Sequence, residues 1–337
     1  MMNKQILLAS RPTAEAVAEN FRVVEAEVPA LKDGQVLVRN HYLSLDPYMR
    51  GRMNDAKSYA KPQVLNEVMG GGTAGEVVDS KHPKFAAGDK VVGMGGWQQY
   101  SVVDANTPGV LRKVDASKVP LSAYLGCVGM PGVTAWYGLV KIIAPKAGDT
   151  IVVSAASGAV GATVGQLAKV RGCRAVGIAG GVEKCSALVE QFGFDAAVDY
   201  KEHRDVASLA AAIKRACPDG IDGIFENVGG IVLDAAMIHM NDFGRIALCG
   251  LIAGYDGAQL PMAAPWILLR SRLKLEGFIV SEHMEVWPEA LAELGGLVAS
   301  GKMKYRETIA DGIENAPEAF LGLLKGRNFG KQLVKLN

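Results

Sequence analysis

Residues 151–161, IVVSAASGAVG, constrain this chain more than any other segment. Ile151, Val152 and Val153 read as a buried parallel strand. Small residues follow, and the run continues as ATVGQLAKVRG, which has helical spacing. Ala155, Gly158 and Gly161 form an A-x-x-G-x-x-G turn between strand and helix, with Ala155 where the first glycine of a dinucleotide fingerprint usually stands. Small residues there let the backbone approach a pyrophosphate, and the helix N-terminus offers unpaired N–H groups and a positive dipole end to it. The turn alone is a weak signal; the strand before it and the helix after it supply the required context.

Around this unit the texture repeats. RAVGIAG precedes VEKCSALVEQFG, AAVDY precedes SLAAAIKRAC, GIDGIFENVG precedes VLDAAMIHM, and GRIALCG follows. Strands alternating with helices at this spacing predict a parallel sheet with helices on both faces. Before residue 122 the pattern differs. GQVLVRNHYLSL, GTAGEVVDS and GDKVVGMGGWQQYSVVD alternate strand formers with Gly and Asp punctuation, as in a β-rich, barrel-like unit. The end of the chain returns to a helix, APEAFLGLLKG, and a strand, KQLVKL. The expected domains are 1–122 with 297–337, and 123–296, with a ligand cleft between them at the carboxyl ends of the parallel strands.

Bulk properties exclude several classes. With 36 basic and 35 acidic residues, a formal net charge of +1 gives no electrostatic case for nucleic acid or a membrane surface. No apolar run approaches the roughly 18–20 residues of a membrane span, and the charged start MMNKQILLAS leads to the expectation of a cytoplasmic protein. The five cysteines are odd in number and make no C-x-x-C pair, and the five histidines make neither H-x-x-x-H nor H-E-x-x-H. Neither a disulfide framework nor a metal site is expected.

In an NAD site an acidic residue ends the second strand, roughly 20 residues past the glycine turn, and binds the ribose hydroxyls. Here that strand ends at Gly180 and Gly181, and Lys184 follows Glu183. A neutral tip beside a cation suits a 2′-phosphate, so NADP(H) is favoured. Read from the residues alone, Lys184 is equally open to being a solvated first-turn residue, Tyr48 a packed aromatic and Asn227 a turn residue.

Several segments together resemble one family over essentially the full length: SLDPYMRGRM (44–53), GMPGVTAWYGL (129–139), VSAASGAVGATVGQLAK (153–169), FENVGG (225–230), CGLIAGY (249–255), EGFIV (276–280) and GRNFGKQLV (326–334). The chain resembles the medium-chain dehydrogenase/reductase superfamily. More narrowly, it is similar to the zinc-independent leukotriene B4 12-hydroxydehydrogenase / 15-oxoprostaglandin 13-reductase branch, with plant double-bond reductases and bacterial curcumin reductase. The resemblance implies an α/β fold, with a β-rich GroES-like N-terminal domain and a Rossmann domain with a doubly wound parallel sheet.

It also implies residue roles. Ala156, Gly158, Ala159, Val160 and Gly161 would form the pyrophosphate turn, and Gly180, Lys184 and Tyr200 would border the 2′-phosphate. Met130, Thr134, Asn227 and Asn328, with Cys249, Gly250 and Ile252, would line the nicotinamide and diphosphate end. The backbone of Phe278 and Val280 would flank the carboxamide. Tyr255 and Tyr48 would face the substrate as the catalytic pair. Relatives commonly have A-G-S-D-E-K where this chain has Ala179 to Lys184; the phosphate-binding serine is Gly181 here, which implies a weaker NADPH preference.

Zinc-dependent relatives carry an early cysteine and a G-H-E motif. This chain has Leu45-Asp46-Pro47 near the first position and Gly70-Gly71-Gly72-Thr73 at the second. Without that Lewis acid, the resemblance implies NADPH-dependent reduction of the C=C bond of enones or enals rather than alcohol dehydrogenation. A quinone reductase and a non-catalytic NADP(H)-binding protein are the alternatives. A small-molecule substrate and a homodimer joined through its nucleotide-domain sheets are the expected partners.

Activity should therefore survive a strong chelator, and the purified protein should contain no stoichiometric zinc. Loss of activity on chelation with recovery on adding zinc would overturn this expectation.

Overall fold

Thr150–Val153 is buried along its whole length, as a strand covered on both faces must be. In the computed structural model, which describes residues 1–336, it lies near the middle of a six-stranded sheet. The chain first forms β1 (Met2–Leu8), β2 (Phe21–Glu27), β3 (Gln35–Ser44), α1 (Tyr48–Arg52), β4 (Thr73–Ser80), β5 (Lys90–Gly93), β6 (Tyr100–Asp104) and β7 (Leu111–Lys113). Then come α2 (Met130–Tyr137), β8 (Thr150–Val153), α3 (Ala159–Val170), β9 (Arg174–Ala179), α4 (Val182–Glu190), β10 (Ala196–Asp199) and α5 (Val206–Ala216). These lead to β11 (Ile221–Glu226), α6 (Gly230–Met237), β12 (Met240–Leu248), α7 (Trp266–Arg270), β13 (Lys274–Gly277) and α8 (Trp287–Ala299). The chain closes with β14 (Glu307–Asp311), α9 (Ala316–Leu324) and β15 (Lys331–Lys335).

Contacts divide the chain into two units, residues 1–125 with the segment from Glu307 onward, and residues 126–306. The C-terminal return comes at 307 rather than at 297. Residues 297–306 stay with the second unit because α8 packs on α2 and Gln166 in α3 binds the backbone of Lys304 at both its N–H and its C=O.

The second unit has strand order β10-β9-β8-β11-β12-β13, every pair parallel. The order reverses between β8 and β11, and that point is where doubly wound sheets bind ligands, at the carboxyl ends of the strands. Val153 pairs with Phe225, which sets Ser154, just past the end of β8, beside Glu226, the last residue of β11. On one face Val152, Val176, Ile178, Ile224 and Ile246 pack with Leu209 and Ile213 of α5 and with Val232 and Ala236 of α6. The helix expected over VLDAAMIHM is shorter than its apolar spacing suggests. α6 stops at Met237, and Met240 already pairs with Ile221 as the start of β12.

The first unit is built on β3. β4 lies along one edge, and β6 and then β15 share the other. A second apolar core gathers Phe21, Trp97 and Phe320, with Phe21 stacked on Trp97 at 5.4 Å and Phe320 edge-on to it at 5.6 Å. Beside it Lys331 is almost fully buried. Its ammonium donates to Asp46 Oδ1 at 3.1 Å and to the carbonyls of Leu45 and Gln332 at 2.6 and 3.1 Å. Ser44 donates its hydroxyl to the other Asp46 oxygen. All three ammonium protons are used, so this pair ties the corner before α1 to β15. Among the described residues no helix is long and apolar enough to cross a membrane.

Removing one partner of a buried pair leaves the other charge uncompensated. Lys331→Met should therefore cost the first unit about 3–5 kcal/mol, seen as a lower urea midpoint. A midpoint equal to wild type would mean that the pair is dispensable.

Candidate cofactor and active site

The turn after β8 shows why its small residues matter. A Cβ on Gly161 would lie 2.5 Å from the carbonyl oxygen of Ala155, so only glycine lets α3 begin this close to the strand end. Ala155 itself takes φ +46°, the left-handed region that the usual glycine would occupy. Gly158 is the N-cap and no side chain caps it. The N–H groups of Ala159, Val160 and Gly161 open the first turn, where a helix has no intrahelical partners for them. Ala156 is buried beneath and donates its N–H to the carbonyl of Ile178.

At the tip of β9 one lysine packs over a glycine and a second lies within reach of its charge. A Cβ on Gly180 would lie 2.8 Å from the Tyr200 ring and 2.9 Å from the Lys201 side chain, so both pack over that position. Gly181 has φ +98° and open space where its side chain would be. Burial, and then the nearby Lys201 charge, pull the Lys184 ammonium below its ordinary pKa. Two lysines this close favour an anion between them. The nearby acids are otherwise engaged: Asp199 accepts the N–H groups of Gly181 and Lys201, and Glu183 is exposed beside Arg306 at 3.4 Å. These residues fit a 2′-phosphorylated dinucleotide. Lys201 is absent from the sequence-based set, although its place directly after Tyr200 was a usable signal.

At the ends of β11 and β12, Asn227 donates its backbone N–H to Ser154 Oγ at 2.7 Å and its side-chain amide to the Ser154 carbonyl at 2.8 Å. The N–H groups of Cys249 and Gly250 bond the Glu226 carbonyl, and Ile252 N–H bonds the Asn227 carbonyl. Segment 249–255 is thus hung on the end of β11. It brings the Tyr255 hydroxyl over Gly250, where a Cβ would lie 3.3 Å from that oxygen. Burial pushes the Cys249 thiol up to about 12, so it stays protonated and is no nucleophile at neutral pH.

Met130 opens α2, and Thr134 donates its hydroxyl to the Met130 carbonyl at 2.8 Å. The Phe278 ring meets Tyr137 and, edge-on, Phe225. The Val280 carbonyl accepts from Trp287 Nε1 and from His283 N–H.

Two of the sequence-based residues lie in the other unit. Asn328 donates its side-chain amide to the Gly330 carbonyl and borders a groove of about 300 Å³ with Thr308, Arg327 and Gln332. Tyr48 begins α1, with the Arg52 guanidinium 4.7 Å above its ring. Burial, then the Asp46 charge, push its hydroxyl pKa up, so it remains a proton donor. The position corresponding to the G-H-E motif is apolar: around Gly71 stand Met49, Leu43 and Trp97, each 3.0–3.1 Å from where a Cβ would be. Asp46 is occupied by Lys331 and Ser44. Among the described residues no three His, Cys, Asp or Glu side chains converge on a point suited to a metal.

Comparison with known proteins agrees with this architecture. Residues 4–111 match the N-terminal domain of oxidoreductase, and residues 159–295 match the family described as zinc-binding dehydrogenase. The chain is 46% identical to an NADPH-dependent curcumin reductase of Escherichia coli, over 99% of this chain and 97% of that one. It is 42% identical to a 2-alkenal reductase (NADP(+)-dependent) of Nicotiana tabacum, over 99% and 98%. The crystal structure of CurA from Vibrio vulnificus in complex with NADPH superposes with a TM-score of 0.92 at 46% identity, covering 99% of each chain. The chain belongs to the medium-chain dehydrogenase/reductase superfamily, and its residues fit the zinc-independent branch.

Charge-assisted contacts to a phosphate are worth roughly 1.5–3 kcal/mol. Lys184→Ala should raise the Michaelis constant for NADPH about ten-fold and leave that for NADH nearly unchanged, and Lys201→Ala should act in the same direction. Equal weakening of both cofactors would make the lysines structural only. Because the Lys184 pKa is lowered, the ammonium loses its proton at a lower pH than an ordinary lysine, so the NADPH preference should fall as pH rises into the alkaline range.

Proposed function

We propose that this chain is an NADPH-dependent reductase of the conjugated C=C bond of α,β-unsaturated ketones and aldehydes. It is an NADP-dependent oxidoreductase by its family and its relatives. The lysine pair at the β9 tip and the uncapped start of α3 are the groups that would hold the cofactor. When bound, NADPH supplies the hydride, which is added to the β-carbon.

The observation that carries the reading is the place of Tyr255. Its hydroxyl rests over Gly250 at the end of β12, next to Asn227, at the carboxyl edge of the sheet. From there it donates to the substrate carbonyl oxygen, on which negative charge gathers as the β-carbon accepts hydride. A donor preorganised toward developing charge stabilises the transition state more than the ground state. Tyr48, protonated and stacked under Arg52, is the second hydroxyl of the proposal. Without a Lewis acid the carbonyl is polarised by hydrogen bonds alone, which suits an enone better than an alcohol. The proton for the α-carbon comes from solvent or a tyrosine. NADPH oxidation across a panel of enals, enones and quinones, with NADH in parallel, tests the reading. Turnover confined to quinones would replace it.

Tyr255→Phe should lower kcat on a good enone by up to about 10²-fold, the low end for loss of one such donor. The Michaelis constant should rise less, and NADPH affinity should not change, because the phosphates are held elsewhere. Wild-type turnover in this variant would remove Tyr255 from the mechanism, and a larger defect in Tyr48→Phe would move the donor role there.

A further inference from the structure

Glu226, the last residue of β11, is fully buried. Its Oε1 accepts three hydrogen bonds: from the Ser154 hydroxyl at 2.9 Å, from Val228 N–H at 2.5 Å and from Gly229 N–H at 2.7 Å. Its Oε2 is also buried and has no hydrogen-bond partner among the described residues. The Ser154 hydroxyl gives its only proton to Glu226, so its lone pairs face the Asn227 N–H that it accepts at 2.7 Å. Gly229 is the N-cap of α6. The backbone of the same short stretch carries the other loop: the Glu226 carbonyl accepts from Cys249 and Gly250, Asn227 from Ile252, and Val228 from Ala253. One carboxyl oxygen therefore joins the end of β8, the turn into α6 and, through that turn, the segment that ends at Tyr255.

We propose that Glu226 is a positioning residue of the nucleotide-binding unit, acting through Oε1 as a hydrogen-bond acceptor for Ser154, Val228 and Gly229 and not as a charge. The proposal deepens the reductase reading and rests on it for the role of Tyr255. An acceptor suffices for the three donors that converge on Oε1. Among the described residues Oε2 meets neither a donor nor a cation, so half of the carboxyl group offers nothing to hold a charge, and desolvating a charge is costly. An ionised carboxyl would also place a negative charge under a site built to receive an anion. Burial outweighs the hydrogen bonds to the carboxyl group, which by themselves favour the ion, and raises the carboxyl pKa above its ordinary value.

The test compares Glu226→Gln, Glu226→Leu and Ser154→Ala by three measurements. These are the NADPH dissociation constant from fluorescence titration without substrate, kcat on an enone, and the melting temperature of the cofactor-free protein. Glutamine keeps the acceptor and replaces the partnerless oxygen with an amide, so it should stay within about 3-fold of wild type in affinity and kcat. Leucine strands three buried donors and should weaken NADPH about 10-fold or more and lower kcat. Ser154→Ala should weaken NADPH several-fold, and this effect should disappear in the leucine background because both changes break one network. Ile221→Val, at the far end of β11, is the control for plain destabilisation: a lower melting temperature with unchanged affinity. The proposal is overturned if glutamine is as damaging as leucine, since charge would then be required. It is equally overturned if the Glu226 and Ser154 variants behave like Ile221→Val. Should the leucine variant fail to fold, Ser154→Ala alone decides, and unchanged NADPH affinity there overturns the proposal. NADPH binding is read without substrate, so a wild-type protein that binds NADPH yet reduces no enone defeats the reductase reading and leaves this test standing.

Discussion

The nucleotide-binding unit depends on one close approach, the backbone of Gly161 against the carbonyl of Ala155. With any side chain at 161, α3 would have to start farther from β8, and its first turn would no longer sit at the switch point between β8 and β11. Ala155 accepts an unfavourable left-handed backbone to allow this, at a cost of roughly 1–2 kcal/mol for an L-residue. Its neighbours hold it there: Gly158 N–H bonds the Ala155 carbonyl, and Ala156 N–H bonds Ile178 on β9. The proposed place of the cofactor's pyrophosphate rests on this geometry, since unpaired N–H groups at a helix start attract negative charge wherever they are exposed.

Each unit also places a buried ionisable side chain at a strand end, and each uses it to hold backbone. Glu226 collects donors from the turn into α6, while Lys331 gives protons to the Leu45 carbonyl and to Asp46 at the corner before α1. Such groups add little stability compared with a well-packed apolar core. Their value is geometric. A loop that ends a strand has N–H and C=O groups that no ladder pairs, and a side chain that satisfies several of them leaves one arrangement of the loop. The corner held by Lys331 leads directly to Tyr48, whereas the turn held by Glu226 leads into α6 and reaches the segment ending at Tyr255 only through its backbone carbonyls.

Much of the fold was legible because its signals are short-range. Strands covered on both faces must be continuously apolar, so IVV and GIF stand out. Turns that need close approach must be glycine or alanine, so the segment at 155–161 reads directly. The errors have physical causes too. VLDAAMIHM keeps helical spacing to its end, but Met240 is captured by pairing with Ile221. The return to the first unit falls at 307 because Gln166 binds Lys304, a contact across 138 residues that no local pattern announces. Lys201 follows Tyr200 in the chain, but its side chain reaches Gly180 only because β10 lies beside β9.

The sequence by itself determined the class of both units, the close-approach turn after β8, the neutral β9 tip and the missing G-H-E motif. Each of these is a demand on residue type within one short segment: a steric need for glycine, a run of apolar side chains, a missing donor atom. Only the tertiary structure decided how the polar interior closes. Ser154 meets Glu226 across 72 residues and Lys331 meets Asp46 across 285. Such partners are chosen by strand order and register, and a carboxyl or ammonium group reads the same in sequence whether solvent or a buried network receives it.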